Sequence, residues 1–99
     1  MIVSNEPGVY FPGQYGIRVE NLCVVKEVIS KERSAVKRAF YQLDDLTMVP
    51  HCRQLIDLAL LTTDERKQLN AYHQQVEQAL LPLLEKPLQQ WLKLQTAKI

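Results

Sequence analysis

The sequence is poor in the landmarks that usually announce a chemistry. Only two cysteines, Cys23 and Cys52, occur in 99 residues. They stand too far apart for the paired-cysteine spacing of a metal or redox motif, so that class of site is excluded. Cys23 lies in an apolar, strand-like run, the usual place of a buried, inert thiol. Cys52, after a predicted strand, is read as structural too, and such a pair fits a reducing compartment. Neither sign of charge dominates: twelve Lys and Arg against eleven Asp and Glu leave a net charge of +1. Whole-molecule electrostatics therefore give no reason to expect nucleic acid or an anionic membrane as partner. No apolar run approaches the ~20 residues of a membrane span, and the first ten residues lack a basic stretch followed by an apolar one. The chain is read as cytoplasmic. Repeats and low-complexity tracts are missing as well. With 46% hydrophobic and 23% charged residues, the composition is that of one folded domain at most, with a modest core.

What is present divides into two halves. Residues 1 to about 50 hold all three glycines and three of the five prolines, with β-branched runs between them. Met1-Ile2-Val3 leads into Glu6-Pro7-Gly8, and Pro12-Gly13 gives a second turn signal. Gly16 to Ile29 reads as one long strand carrying Ile17, Val19, Val24, Val25, Val28 and Ile29. Ser30 to Arg38 is charged and reads as a solvated hairpin loop. Phe40 to Val49 returns as a strand, giving an antiparallel meander. The basic residues Lys26, Lys31, Arg33, Lys37 and Arg38 are interrupted by Glu27 and Glu32, with few aromatics between them, which suits a solvated loop better than a nucleic-acid surface.

From residue 62 the period changes. Thr62 and Glu65 have capping-box spacing. Leu69, Tyr72, Val76, Leu80 and Leu83 then recur at steps of three and four, one stripe of an α-helix expected to pack on the sheet. Pro82 is expected to end or kink that helix. Pro87 suits an early position in a second helix bearing Leu88, Trp91 and Leu92, residues that could cover the core or form a dimer seam. The fold class is α+β: a small antiparallel sheet in residues 1–50 followed by two helices in residues 62–96.

Two glutamates stand out as chemistry-bearing. Glu6 precedes proline, so its backbone is held extended, and Pro7-Gly8 turns the chain directly after it. Glu20 lies in Gly16-Ile17-Arg18-Val19-Glu20-Asn21, where alternation puts Ile17 and Val19 on one face and Arg18 and Glu20 on the other. From the residues alone two readings stand. Arg18 and Glu20 form a surface pair worth under ~1 kcal/mol and Glu6 is a turn residue, or the charged face serves a site.

Asn5-Glu6-Pro7-Gly8-Val9-Tyr10 and Gly16-Ile17-Arg18-Val19-Glu20-Asn21 together resemble the end of the pita-bread metallopeptidase domain. Leu46-Thr47-Met48-Val49-Pro50, Leu55-Ile56-Asp57, Leu61-Thr62 and Leu69-Asn70-Ala71-Tyr72-His73 extend the likeness, specifically to aminopeptidase P (Xaa-Pro aminopeptidase), over nearly the whole chain. The resemblance implies a partial pita-bread fold and makes the chain the C-terminal fragment of such a domain. It implies that Glu6 and Glu20 are two of five protein ligands to two divalent ions, manganese or zinc, which activate water for attack on the peptide bond before proline. It further implies that Arg18 orients those carboxylates and that Tyr10 contacts substrate or intermediate. The family's remaining ligands, two aspartates and a histidine, fall upstream of a point equivalent to Met1. His51 and His73 match no ligand position. The fragment alone is therefore expected to be inactive, with a proline-containing peptide as substrate of the complete enzyme and a homo-oligomer as its state. The alternative is a pita-bread remnant that has lost catalysis and binds proteins as a scaffold. The catalytic reading requires Glu6 and Glu20 to share one inward-facing spot.

Overall fold

The structure, a computed structural model, describes residues 1–28 and 39–99 of the chain. The charged loop expected at Ser30 to Arg38 lies outside the described residues, as does Ile29. Two compact units are present, Met1–Thr47 and Met48–Ile99.

The first unit is built of five strands: β1 Ile2–Asn5, β2 Gly8–Phe11, β3 Tyr15–Arg18, β4 Asn21–Glu27 and β5 Tyr41–Asp45. β4 is central in a three-stranded antiparallel sheet of order β1-β4-β5, and β2 pairs with β3 in a two-stranded one. The register explains how the two relate. Asn5 opposes Asn21 at the end of β1/β4, and Gly8 opposes Arg18 at the start of β2/β3. Both pairings belong to one unbroken register, so Glu6 faces Glu20 across the gap and the whole is a single twisted hairpin with an interruption. Pro7 causes the interruption. It has no N–H to give the ladder, although its carbonyl still accepts from Val19 N–H at 3.0 Å. The continuous strand expected from Gly16 is thus split at Val19-Glu20. At the hairpin tip Pro12 precedes Gly13, whose φ of 71° is the left-handed conformation of a type II turn. Gln14 N–H returns to Phe11 O at 3.0 Å.

β5 is shorter than the run Phe40 to Val49. Its ladder ends because the Thr47 hydroxyl accepts the Leu22 N–H at 2.9 Å, taking the donor that a further strand residue would use. Cys23, on β4, is buried as expected. Burial first, and Asp45 second, push its thiol pKa up, which keeps it protonated and unreactive. Cys52 is exposed.

The second unit begins with single 3-10 turns at Arg53–Leu55 and Leu58–Leu60, followed by α1, Thr63–Leu80. The capping box is complete: Thr62 Oγ1 accepts from Glu65 N–H at 3.2 Å and Glu65 Oε2 accepts from Thr62 N–H at 2.8 Å. The helix gives way to a 3-10 turn, Leu81–Leu83, at Pro82, and α2 runs Lys86–Thr96 with Pro87 in its first turn. Tyr72 and Val76 form a core with Leu92 of α2, and Met48, Leu80, Leu81 and Leu84 pack around it. Leu83 is 78% exposed. The change of helix type after Leu80 carries it off the stripe to which its spacing assigned it.

His73, which matches no ligand position, lies on the inward face of α1. It is fully buried beside Tyr72, its Nε2 accepting the His51 N–H at 3.1 Å. The helical stripe is wider than its apolar members because this imidazole belongs to it.

Candidate metal centre

The interruption in the hairpin places four polar side chains on one face. Strand alternation carried through the register puts Ser4, Glu6, Gly8 and Tyr10 beside Gly16, Arg18 and Glu20, and the contacts agree. Arg18 Nη1 donates to Glu6 Oε2 at 3.2 Å and lies 3.9 Å from Glu20 Oε2. The two carboxylate oxygens are therefore no more than about 7.1 Å apart, the sum of those distances. Arg18 Nε donates to the Tyr10 hydroxyl at 2.8 Å. All four residues singled out in the sequence thus meet around one guanidinium.

Two like charges directly opposed across an antiparallel pair repel, and Arg18, two residues before Glu20 on its own strand and diagonal to Glu6 across the pair, offsets that repulsion. Its pKa is raised, first by the Tyr10 hydroxyl, then by Glu6 and, more weakly, Glu20. It stays charged at any pH the protein meets. In this chain the cluster is open to solvent: the Arg18, Glu6 and Glu20 side chains are 49, 37 and 51% exposed. The carboxylates share a spot, as expected, but one that faces water here. At such exposure solvent screens each ion pair, so stability alone is a weak reason to collect these charges.

Ser4, which sequence reasoning passed over, is the fifth member. Its hydroxyl donates to Glu6 Oε1, so Glu6 is held at both oxygens, by Ser4 on one side and Arg18 on the other. The signal lay in the two-residue spacing of Ser4 and Glu6 on one strand face.

The donor set suits a divalent cation in kind: carboxylate oxygens, on facing strands, one of them fixed in orientation. It is partial in number. Among the described residues no group of three or more His, Cys, Asp or Glu side chains could hold a metal. His51 and His73 lie in the second unit, where His73 Nε2 accepts the His51 backbone N–H. An open pocket of about 620 Å³ along α1, lined by Lys67, Asn70, Gln74, Glu77 and Thr96 among others, includes none of the hairpin residues.

Residues 39–99 match the C-terminal region of peptidase M24. A probable Xaa-Pro aminopeptidase P of Coprinopsis cinerea is 46% identical over 101 residues, covering 100% of this chain and 16% of its own. An uncharacterized peptidase of Schizosaccharomyces pombe is 44% identical over 99 residues, with the same coverage of 100% and 16%. The crystal structure of an X-prolyl aminopeptidase from Caenorhabditis elegans, described as a cytosolic enzyme with a di-nuclear active site, aligns with a TM-score of 0.82 at 28% identity. It covers 99% of this chain and 16% of that one. The α+β arrangement is thus that of the corresponding part of a much longer enzyme, and this chain spans about one sixth of its relatives' length. Taken with the fold, these matches establish that the chain belongs to the peptidase M24 family and carries its C-terminal region.

Proposed function

We propose that the chain contributes Glu6 and Glu20 to the dinuclear metal centre of an aminopeptidase that removes the residue before an N-terminal proline linkage. The observation that carries this is the juxtaposition of the two glutamates on one face, at the only break in a hairpin of otherwise continuous register. The relatives' names, and the di-nuclear site of the nematode enzyme, support the same reading. When bound, a pair of divalent ions, manganese or zinc, supplies an activated water and polarises the scissile carbonyl.

The chain's own residues bind and orient. Glu6 and Glu20 offer anionic oxygens from facing strands. Arg18 keeps the carboxylates from repelling one another apart and presents them in a fixed relation. Tyr10 accepts from Arg18 Nε, which leaves the phenol's own proton to be donated to a substrate carbonyl or a developing charge. A proline-containing peptide is the substrate, and the protein works in the cytoplasm as a homo-oligomer, without nucleic-acid or membrane partners. Retention of both carboxylates in register favours this over a scaffold that has lost catalysis.

Two ligands do not make a dinuclear site, so the 99-residue chain alone is expected to leave an Xaa-Pro peptide uncleaved in manganese. The same chain joined to upstream sequence from a relative should cleave it. Metal-dependent cleavage by the isolated chain would show that the ligand set is wrongly assigned.

A further inference from the structure

The chain has three glycines, and they serve two different purposes. Gly13 has a φ of +71°, and a side chain added there would meet nothing within 4 Å. It is needed for its backbone conformation. Gly8 and Gly16 are the reverse. Both sit in regular strands without a left-handed φ, a backbone that any residue adopts, yet both lack room. A Cβ on Gly16 would lie 2.6 Å from Tyr10 Cδ1 and 3.3 Å from Cε1. A Cβ on Gly8 would lie 2.6 Å from Tyr10 Oη, 2.8 Å from Cζ and 2.9 Å from Cε2. One glycine therefore lies beneath each end of the same ring.

The register explains the arrangement. Tyr10 opposes Gly16 directly, and Gly8 lies two residues before it on the same strand face. With no side chain at either position, the ring lies along the face towards Gly8, instead of standing off it. Arg18 opposes Gly8, so a ring laid in that direction delivers its hydroxyl to Arg18 Nε, where the 2.8 Å bond is found. The guanidinium carbon is 5.9 Å from the ring centroid, at the outer limit of a cation–π contact. Nε is thereby tethered and Nη1 is turned to Glu6 and Glu20.

We infer that Gly8 and Gly16 form a seat for Tyr10, and that the seated ring positions Arg18 between the two carboxylates. Tyr10 and both glycines are positioning residues in this scheme. The seat itself is a matter of packing. Its purpose in metal binding rests on the function proposed above, and the tests separate the two.

The two glycines should respond differently. At Gly8 the obstruction is the far tip of a side chain, which can swing clear and carry its hydroxyl off Arg18. At Gly16 the obstruction is the root of the ring, which cannot clear without leaving its rotamer. In the 99-residue chain, Gly16→Ala is expected to lower the melting temperature by about 4–8 °C. In a Tyr10→Ala background the same substitution should leave it unchanged or raise it, because alanine is better than glycine in a strand once the ring is gone. An equal loss in both backgrounds would overturn the seat.

The positioning claim is read from the Arg18 Nε–H resonance in a nitrogen-15 correlation spectrum. It should be present and slow to exchange in the unmodified chain, and lost in Gly8→Ala. It should also be lost in Tyr10→Phe, which keeps the ring seated and is expected to fold. Persistence of that resonance in Tyr10→Phe would overturn the positioning claim even if the glycine variants fail to fold. Manganese binding measured alongside addresses the other question: a lost resonance without any manganese affinity in the unmodified chain retains the seat and removes the metal reading.

Discussion

At the scale of single residues, the candidate site was legible where it depended on side-chain type at short spacing. Glu6, Arg18 and Glu20 could be named from two hexapeptides, Tyr10 only from the resemblance those hexapeptides carry, and strand alternation alone put Arg18 and Glu20 on one face, where the ion-pair contact finds them. What could not be read was the partner across the hairpin. Ser4 shares a strand face with Glu6 by spacing, but the bond between them is seen only in the fold, and the space demands that Gly8 and Gly16 meet from across and along the hairpin exist only in the presence of a folded Tyr10 ring. The burial of His73 was not legible for a related reason: a polar residue next to a helical stripe gives no sign of whether the helix turns it inward. It is fully buried, and among the described residues its Nδ1 has no hydrogen-bond partner, an arrangement that costs ~1–3 kcal/mol. Burial above all, and then the neighbouring His51 and Arg53, hold its pKa below the usual value. The sign follows. The unfolded chain takes up a proton near pH 6.5 while the folded chain still refuses it, so stability is complete above that pH and declines as pH falls towards the lower folded value. The urea midpoint should drop from pH 7 to pH 5, and drop less in His73→Gln, which keeps an acceptor for the His51 amide. Identical slopes for the two proteins would show that His73 is not the titrating group.

At the scale of elements, the periodic signals served well and the boundaries less so. The capping box at Thr62 and Glu65, the end of α1 at Pro82 and the start of α2 around Pro87 all stand where local chemistry put them. The long strand failed at Val19-Glu20 because its interruption is imposed by Pro7 on the facing strand, a long-range effect that no local window contains. β5 stopped early because Thr47 turned its hydroxyl onto Leu22. The meander itself holds once each interrupted strand is counted as one. Its second face is apolar and open: Val9, Ile17 and Val19 are 58, 57 and 49% exposed. An open apolar face on a sheet with free edges favours association. On helix α2, Leu88 and Trp91 are about half exposed as well, at 51 and 52%. Light scattering of the isolated chain at high concentration is expected to show species heavier than 11.5 kDa; a clean monomer there would count against association through these faces.

At the scale of the whole molecule, the family match and the charged cluster fall on different stretches of the chain. Residues 39–99, which take in β5 and both helices, carry the match to the C-terminal region of peptidase M24, while the hairpin before them carries the charged cluster. A site formed on so exposed a surface is hard to justify by stability, since its ion pairs contribute so little. It is readily justified by chemistry if those carboxylates hold cations. The most direct measurement is manganese affinity, by calorimetry or paramagnetic resonance, of the unmodified chain beside Glu6→Gln and Glu20→Gln. Weak binding that falls by at least ~10-fold in each variant is the predicted result, since even outer-shell changes at metal sites have effects of that size. Binding that is indifferent to both substitutions would contradict the assignment of these glutamates as ligands.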